Sequence, residues 1–430
     1  MKLTPEYAQR LFETGAFVIF SGLPTGSEVG IDGECVQDSK TESSMSHNAV
    51  TELLLLCRSV HLTQKFSGWK MIPPGLHLVT WSIPSTNQQS PGLQIRHAVL
   101  RHLKGGDTYV LKYSSEAEDL VPNAVDQATG EEIPTIVSPE HLRALDTELA
   151  VYPLYRWSDW KALTDGIEDA DVVRLIGTSH KVDSLCESPA DEEVIHKGEV
   201  IDKTTGLPAT TEKDDNQEGQ VAYAIFDTKR SWRNGAVGEE VTTYSRDKSW
   251  LLCHVLKEDF AAQPARLLAQ LQLAFLIFIN VQNFSSLLAF KRFLILLSRS
   301  ERIFYDKELL TTNGIDSQTV HDLYTRLFGI LTAQLSSLPE TFFSVDLAGT
   351  GMQDFWQDEL QSLCRNVACI PPTGVLQAPQ ASHIKDAMAE LKAVAWARFQ
   401  WNLDTSGTEG LASDNEEEEE GEDAPVVVEL

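Results

Sequence analysis

The side chains that could do chemistry in this chain are few and scattered. His77 follows Pro73-Pro74-Gly75 at the head of the run Leu76 to Ile83, where a histidine is either a general base or a hydrogen-bonded core residue. His97 and His102 lie five apart in a stretch of strand character, so they face opposite sides of a sheet and do not share a metal. Ala348-Gly349-Thr350-Gly351 lacks the lysine and the spacing of a phosphate loop, and Gly22, Gly26, Gly30 and Gly33 do not form the dinucleotide fingerprint. No serine sits in a nucleophile-elbow context. The cysteines, Cys35, Cys57, Cys186, Cys253, Cys364 and Cys369, include no C-x-x-C pair, which reads as reduced thiols in the cytosol or nucleus. The expectation is a chain with no catalytic set, no metal and no cofactor.

Residues suited to binding are easier to find. Phe284, Leu287 and Phe290, followed by Lys291-Arg292, make either a partner-binding stripe or an ordinary packing face of a helix. Trp396, Phe399 and Trp401 crowd the end of the last helical stretch, and one of them is a candidate surface anchor. The last 27 residues, 404–430, carry 11 acids and no base, then end in Ala424-Pro425-Val426-Val427-Val428-Glu429-Leu430. Self-repelling charge extends such a tether to a reach of roughly 70 Å. Its valines suit a strand with both faces partly apolar, able to pair with a partner's sheet edge, to dock on this protein's own sheet, or to stay unpaired.

Elements that could position these residues fall into two kinds. Strand-like runs Ala16 to Phe20, Leu76 to Ile83, Ile95 to Leu103 and Thr108 to Tyr113 alternate with Gly, Pro and Asn clusters, which predicts a β-rich sandwich or barrel-like domain. Ser138, Pro139 and Glu140 form a helix start signal, and helices are expected over Pro139 to Leu149, Arg156 to Leu163 and Glu168 to Ile176. That gives a first domain over 1–180, an acidic flexible linker over 181–240, an all-α domain over 241–403 and the tail over 404–430. The apolar stretch Leu271 to Leu297 is interrupted by Asn280, Gln282, Asn283, Lys291 and Arg292, and reads as two buried helices rather than a membrane span. The N-terminus, broken by Glu6, Arg10 and Glu13, carries no signal-peptide pattern.

With 63 acidic and 35 basic side chains in 430 residues the formal charge is -28. Asp183 to Glu218 accounts for -8 and the tail for -11, which leaves -9 for the rest. A nucleic-acid binder needs a basic surface, so direct RNA binding is disfavoured.

Glu28-Val29-Gly30-Ile31-Asp32 and Phe66-Ser67-Gly68-Trp69-Lys70-Met71-Ile72-Pro73-Pro74-Gly75-Leu76-His77 resemble the paired N-terminal motifs of the A1 cistron-splicing factor family. Val151-Tyr152-Pro153, Trp160-Lys161-Ala162-Leu163-Thr164, Leu271-Gln272-Leu273-Ala274-Phe275 and the terminal Ala424 to Leu430 support the resemblance across both domains and the tail. It implies an α+β multidomain protein without enzyme activity that assists assembly of the U5 small nuclear ribonucleoprotein. The implied partner is the largest U5 scaffold protein, bound at its RNase H-like and MPN-type domains in competition with an RNA helicase. Pro425, Val426, Val427, Val428, Glu429 and Leu430 would supply the added strand. A monomer, cytoplasmic and nuclear, is expected.

Two segments depart from the family pattern. Residues 35–63 are a surplus that reads as a retained intron or a surface loop, and continuous reads through Cys35 to Thr63 in spliced message would exclude the intron. The acidic segment after Lys181 suggests no role. Ser413, before Asp414 and Glu416, is a candidate site for an acid-directed kinase.

Overall fold

Short β-branched and aromatic runs punctuated by turns pair into two sheets. The computed structural model describes residues 5–38, 60–62, 66–84, 95–122, 137–190, 219–343 and 351–404. After helix α1 (Pro5–Thr14) come β1 (Ala16–Ser21), β2 (Glu28–Ile31), β3 (Glu34–Asp38), β4 (Val60–Leu62), β5 (Gly68–Ile72), β6 (Gly75–Ser82), β7 (Arg96–Leu103), β8 (Thr108–Ser114) and β9 (Asp119–Pro122). Helix α2 (Pro139–Ala144) and β10 (Leu149–Val151) follow, then α3 (Trp157–Thr164), α4 (Asp169–Ile176) and β11 (Lys181–Asp183). One sheet has the order β10-β5-β1-β8-β9 and the other β11-β7-β6-β2-β3-β4.

The sheets enclose a core of Val18, Phe20, Ile31, Trp69, Ile72, Trp81 and Leu111. Alternation gives β1 a second apolar face, Phe17 and Ile19, which is covered by Phe12 of α1 and Leu142 of α2. The outer face of the second sheet, Leu76, Leu78, Ala98 and Leu100, joins one continuous core with α3, α4 and the helical domain. Both faces of β1 and of the β6–β7 pair are thus covered.

The helical domain comprises α5 (Glu239–Arg246), α6 (Ser249–Glu258), α7 (Pro264–Val281), α8 (Phe284–Ser298), α9 (Lys307–Asn313), α10 (Ser317–Ser337), α11 (Met352–Ala368) and α12 (Ala378–Phe399). Gln282 in the left-handed region ends α7, and Asn283 then caps α8 by accepting from the Ser286 amide, so the long apolar stretch is two helices. Over its 18 residues α7 reaches a mean hydropathy of 1.5, long and apolar enough to cross a membrane, yet 78% of it is buried inside the protein. It is the central helix of the domain.

Two expected boundaries are corrected. The linker does not begin at Lys181: residues 181–183 pair with β7, Val182 is buried and the Lys181 ammonium bonds Asp119 of β9. Its far end is also folded, because Val221, Tyr223 and Phe226 enter the helical core, the Tyr223 hydroxyl donates to Ser286, and the Ala224 amide donates to Gln270. Scattered apolar residues among acids carry no periodicity, so this docking is set by distant partners. The supposed insertion 35–63 likewise has structured ends, since Val36–Asp38 pair in parallel with Val60–Leu62. The helix expected over Pro139 to Leu149 stops at Ala144, and Leu149 starts β10 instead.

Candidate functional site

The family-like motifs converge on one buried point. Asp32-Gly33 forms the two-residue turn between β2 and β3, with φ of 52° and 81°, the positive pair that a type I′ hairpin requires. This tip is buried rather than solvated. The Asp32 amide donates to the Leu78 carbonyl at 2.9 Å, and its carboxylate accepts from the Leu78 amide at 2.9 Å.

The second Asp32 oxygen accepts from the Tyr152 hydroxyl at 2.6 Å and meets His77 Nδ1 at 2.6 Å. His77 Nε2 lies 2.7 Å from the Pro73 carbonyl. Both imidazole nitrogens therefore face acceptors, so both must donate and the ring is held as an imidazolium beside a carboxylate. Burial pulls the His77 pKa down, but the Asp32 charge and hydrogen bond and the Pro73 carbonyl outweigh it, and the net shift is upward. The Tyr152 hydroxyl is pushed well above its ordinary range by burial and by Asp32. Trp157 of α3 stacks on His77 with centroids 5.4 Å apart, and Trp160 donates to the Leu76 carbonyl at 2.7 Å. The cluster fastens the second sheet to the residues after β10 and to α3.

The other motif residues shape the same region. Gly68 has a φ of 136°, and a Cβ there would stand 1.9 Å from the Val18 carbonyl oxygen, so only glycine lets β5 meet β1. Gly75 faces the Trp157 ring, where a Cβ would come within 2.8 Å. Lys70 reaches Asp146 at 2.5 Å and its carbonyl at 2.8 Å. Gly30 pairs with Cys35 and Thr80, Met71 takes a φ of 63°, Ile72 is fully buried, and Pro74 is exposed. This set is a device for holding elements together. With Asp32, His77 and Tyr152 buried and mutually bonded, the cluster has no surface on which a substrate could sit.

His97 stacks on Trp81 and faces Asp119, while His102 faces Asp169 of α4, so the two do not meet. Burial drives both pKa values down. Cys186, Cys253 and Cys364 are buried thiols whose pKa values burial raises to about 11, 12 and 12, so they stay protonated and unreactive at neutral pH.

Binding residues sort by exposure. Leu287 and Phe290 are core, whereas Phe284 at the start of α8 is 63% exposed. Trp401 is buried against Phe343 and half-buried Phe399, and Trp396 is 56% exposed. Asp404, where the tail begins, pairs with Lys392 at 2.7 Å, one helical turn before Trp396. Ser413 and Pro425 to Leu430 lie outside the described residues. Sequence reasoning missed Tyr152 as the third member of the buried cluster and the Asp32-Gly33 turn; the Asp-Gly dipeptide between two short β runs was the available signal.

Known families match both halves of this architecture. A family model described as the AAR2 N-terminal domain matches residues 50–177, and one described as the AAR2 C-terminal repeat region matches residues 223–404. The chain belongs to the AAR2 family. "Protein AAR2 homolog" from Mus musculus is 27% identical over 444 residues, covering 100% of this chain and 97% of the relative. The Homo sapiens protein of the same name is 26% identical over 356 residues, with 80% of this chain and 81% of the relative covered. That from Caenorhabditis elegans is 25% identical over 421 residues, 93% and 98% of the two chains. AAR2 membership makes the chain a splicing-related factor and agrees with the A1 cistron-splicing motifs.

Proposed function

We propose that this chain is a non-enzymatic pre-mRNA splicing factor that chaperones U5 small nuclear ribonucleoprotein assembly. It binds the largest U5 scaffold protein at its RNase H-like and MPN-type domains and keeps the later helicase from binding too early. The observation that carries this reading is AAR2 membership across both folded domains. Consumption of the motif's acid and base in an internal ion pair supports a binding role over a hydrolase in the β domain, which would lose His77 as its base. The tail strand Pro425 to Leu430 adds to a sheet edge of the partner, and the protein works as a monomer in cytoplasm and nucleus.

A pull-down of the U5 scaffold protein with the full chain and with a chain ending at Leu403 tests this. Capture by the full chain and its loss on truncation is the expected result; equal capture by both would remove the tail from the mechanism, and no capture by either would sink the proposal. Strong RNA retention at low salt would instead favour direct nucleic-acid contact.

A further inference from the structure

A groove of about 550 Å³ between α3, α7 and α10 takes no part in the motif cluster. Its size is that of clefts that take ligands or peptide segments, roughly 300–1,000 Å³. Lys161 of α3 and Arg326 of α10 contribute exposed cations from opposite walls. The Arg326 guanidinium reaches across to Gly166, where a Cβ would lie 3.7 Å from its Nη2. Neither cation makes an ion pair among the described residues, and Asp165 is the acid on the rim. Apolar floor is supplied by Leu268 and Ile330.

Gly329, in the middle of α10, also lines the groove. Glycine weakens a helix interior, and here no atom lies within 4 Å of where a Cβ would be, so packing does not demand it. Its effect is to leave the wall flat and the backbone open to a close approach.

The chain itself carries a ligand of matching chemistry. Glu416 to Asp423 holds seven acids in eight residues. Helices α10 and α12 run parallel: Gln318 and His321 meet Gln380 and His383 at one end, and Arg398 donates to the Leu338 carbonyl at the other. The tail therefore starts beside the Leu338 end of α10. From Leu338 back to Arg326 is roughly 18 Å along the helix, and the twelve residues from Asp404 to Glu416 span up to about 40 Å.

We propose that this groove holds the chain's own acidic run, Glu416 to Asp423, as a salt-sensitive intramolecular clasp that places Pro425 to Leu430 beside α3 until a partner displaces it. Two screened charge contacts bind weakly between molecules. Tethering raises the effective concentration to the millimolar range, so even a millimolar contact is substantially occupied. The clasp goes beyond the tail-capture reading and can fail without it.

Zero-length carbodiimide crosslinking of the full chain, mapped by mass spectrometry, tests the placement. At 50 mM salt Lys161 joins one of Glu416 to Glu420 at least tenfold more often than Lys307, an exposed lysine of α9, and about 0.5 M salt abolishes the preference. Arg326→Gln, which leaves every crosslinking group in place, lowers the Lys161 link to the Lys307 level. Equal labelling of Lys161 and Lys307, or linkage confined to crosslinked dimers, would overturn the clasp. Scaffold capture measured on the same glutamine variant is a separate readout, so loss of the clasp and loss of the partner are told apart.

Discussion

The β half and the helical half bury opposite kinds of group at their centres. Between the sheets and α3 lies an ion pair, Asp32 with His77, closed by Tyr152 and two backbone groups. The helical half centres on Phe275, Phe290, Phe304, Phe328 and Trp356; of its buried charges, Lys248 sits at the start of α6, and Glu359, midway along α11, pairs with Arg299 at the end of α8. Strands can slip by a residue and invert their faces, so a buried polar contact that fits one register specifies the sheet. Helices packed by size and shape need no such key. The difference suggests that the β half depends on a few irreplaceable groups and the helical half on many interchangeable ones.

Breaking the key should cost most. Asp32→Ala removes the charge that holds His77 protonated and strips the Tyr152 hydroxyl and Leu78 amide of their acceptor, and we expect a loss of about 3–5 kcal/mol in urea unfolding. Leu294→Ala, in the apolar core of α8, should cost roughly 3 kcal/mol by cavity formation, and Leu294→Met far less. Equal tolerance of Asp32→Asn and Leu294→Met would erase the contrast.

The two halves should also respond oppositely to pH. His77 has its folded-state pKa raised above an unfolded value of about 6.5, so its stabilisation is complete below that pH and is lost as pH rises through the folded value. Lys248, near 5% exposed, has its pKa lowered to about 8, mainly by burial and then by Arg299. The folded state thus binds fewer protons there, and its contribution to stability rises between about 8 and 10.4. Unfolding followed by probes in each half should show slopes of opposite sign, and Asp32→Ala should flatten only the first. Smallest of all, Trp396→Ala should change the melting free energy by no more than about 0.5 kcal/mol, because the ring lies on the surface.

What could be read in advance follows from how local each signal is. β1, β6, β7 and β8 sit where alternation and the Pro73-Pro74-Gly75 break place them, and the α7–α8 boundary falls at the polar interruption. Val320, Leu323, Leu327 and Leu331, at helical spacing in the sequence, form the buried face of α10. The Asp32–His77–Tyr152 cluster draws on residues 45 and 120 positions apart, a distance no spacing rule spans. Folding at both ends of the acidic segment was hidden for the same reason, since Val182 and Tyr223 gain their partners from β7 and α8.

The seat of Trp401 has a mechanical consequence. Its ring lies 4.7 Å from that of Phe343 and 5.2 Å from that of Phe399, and Leu403 is buried just beyond it. Traction on the tail would reach this aromatic plug before it reached the buried stripe Ile384, Met388, Leu391 and Ala395 of α12. A partner pulling on the last residues would load the plug first, and α12 would not peel away until the plug had been drawn out.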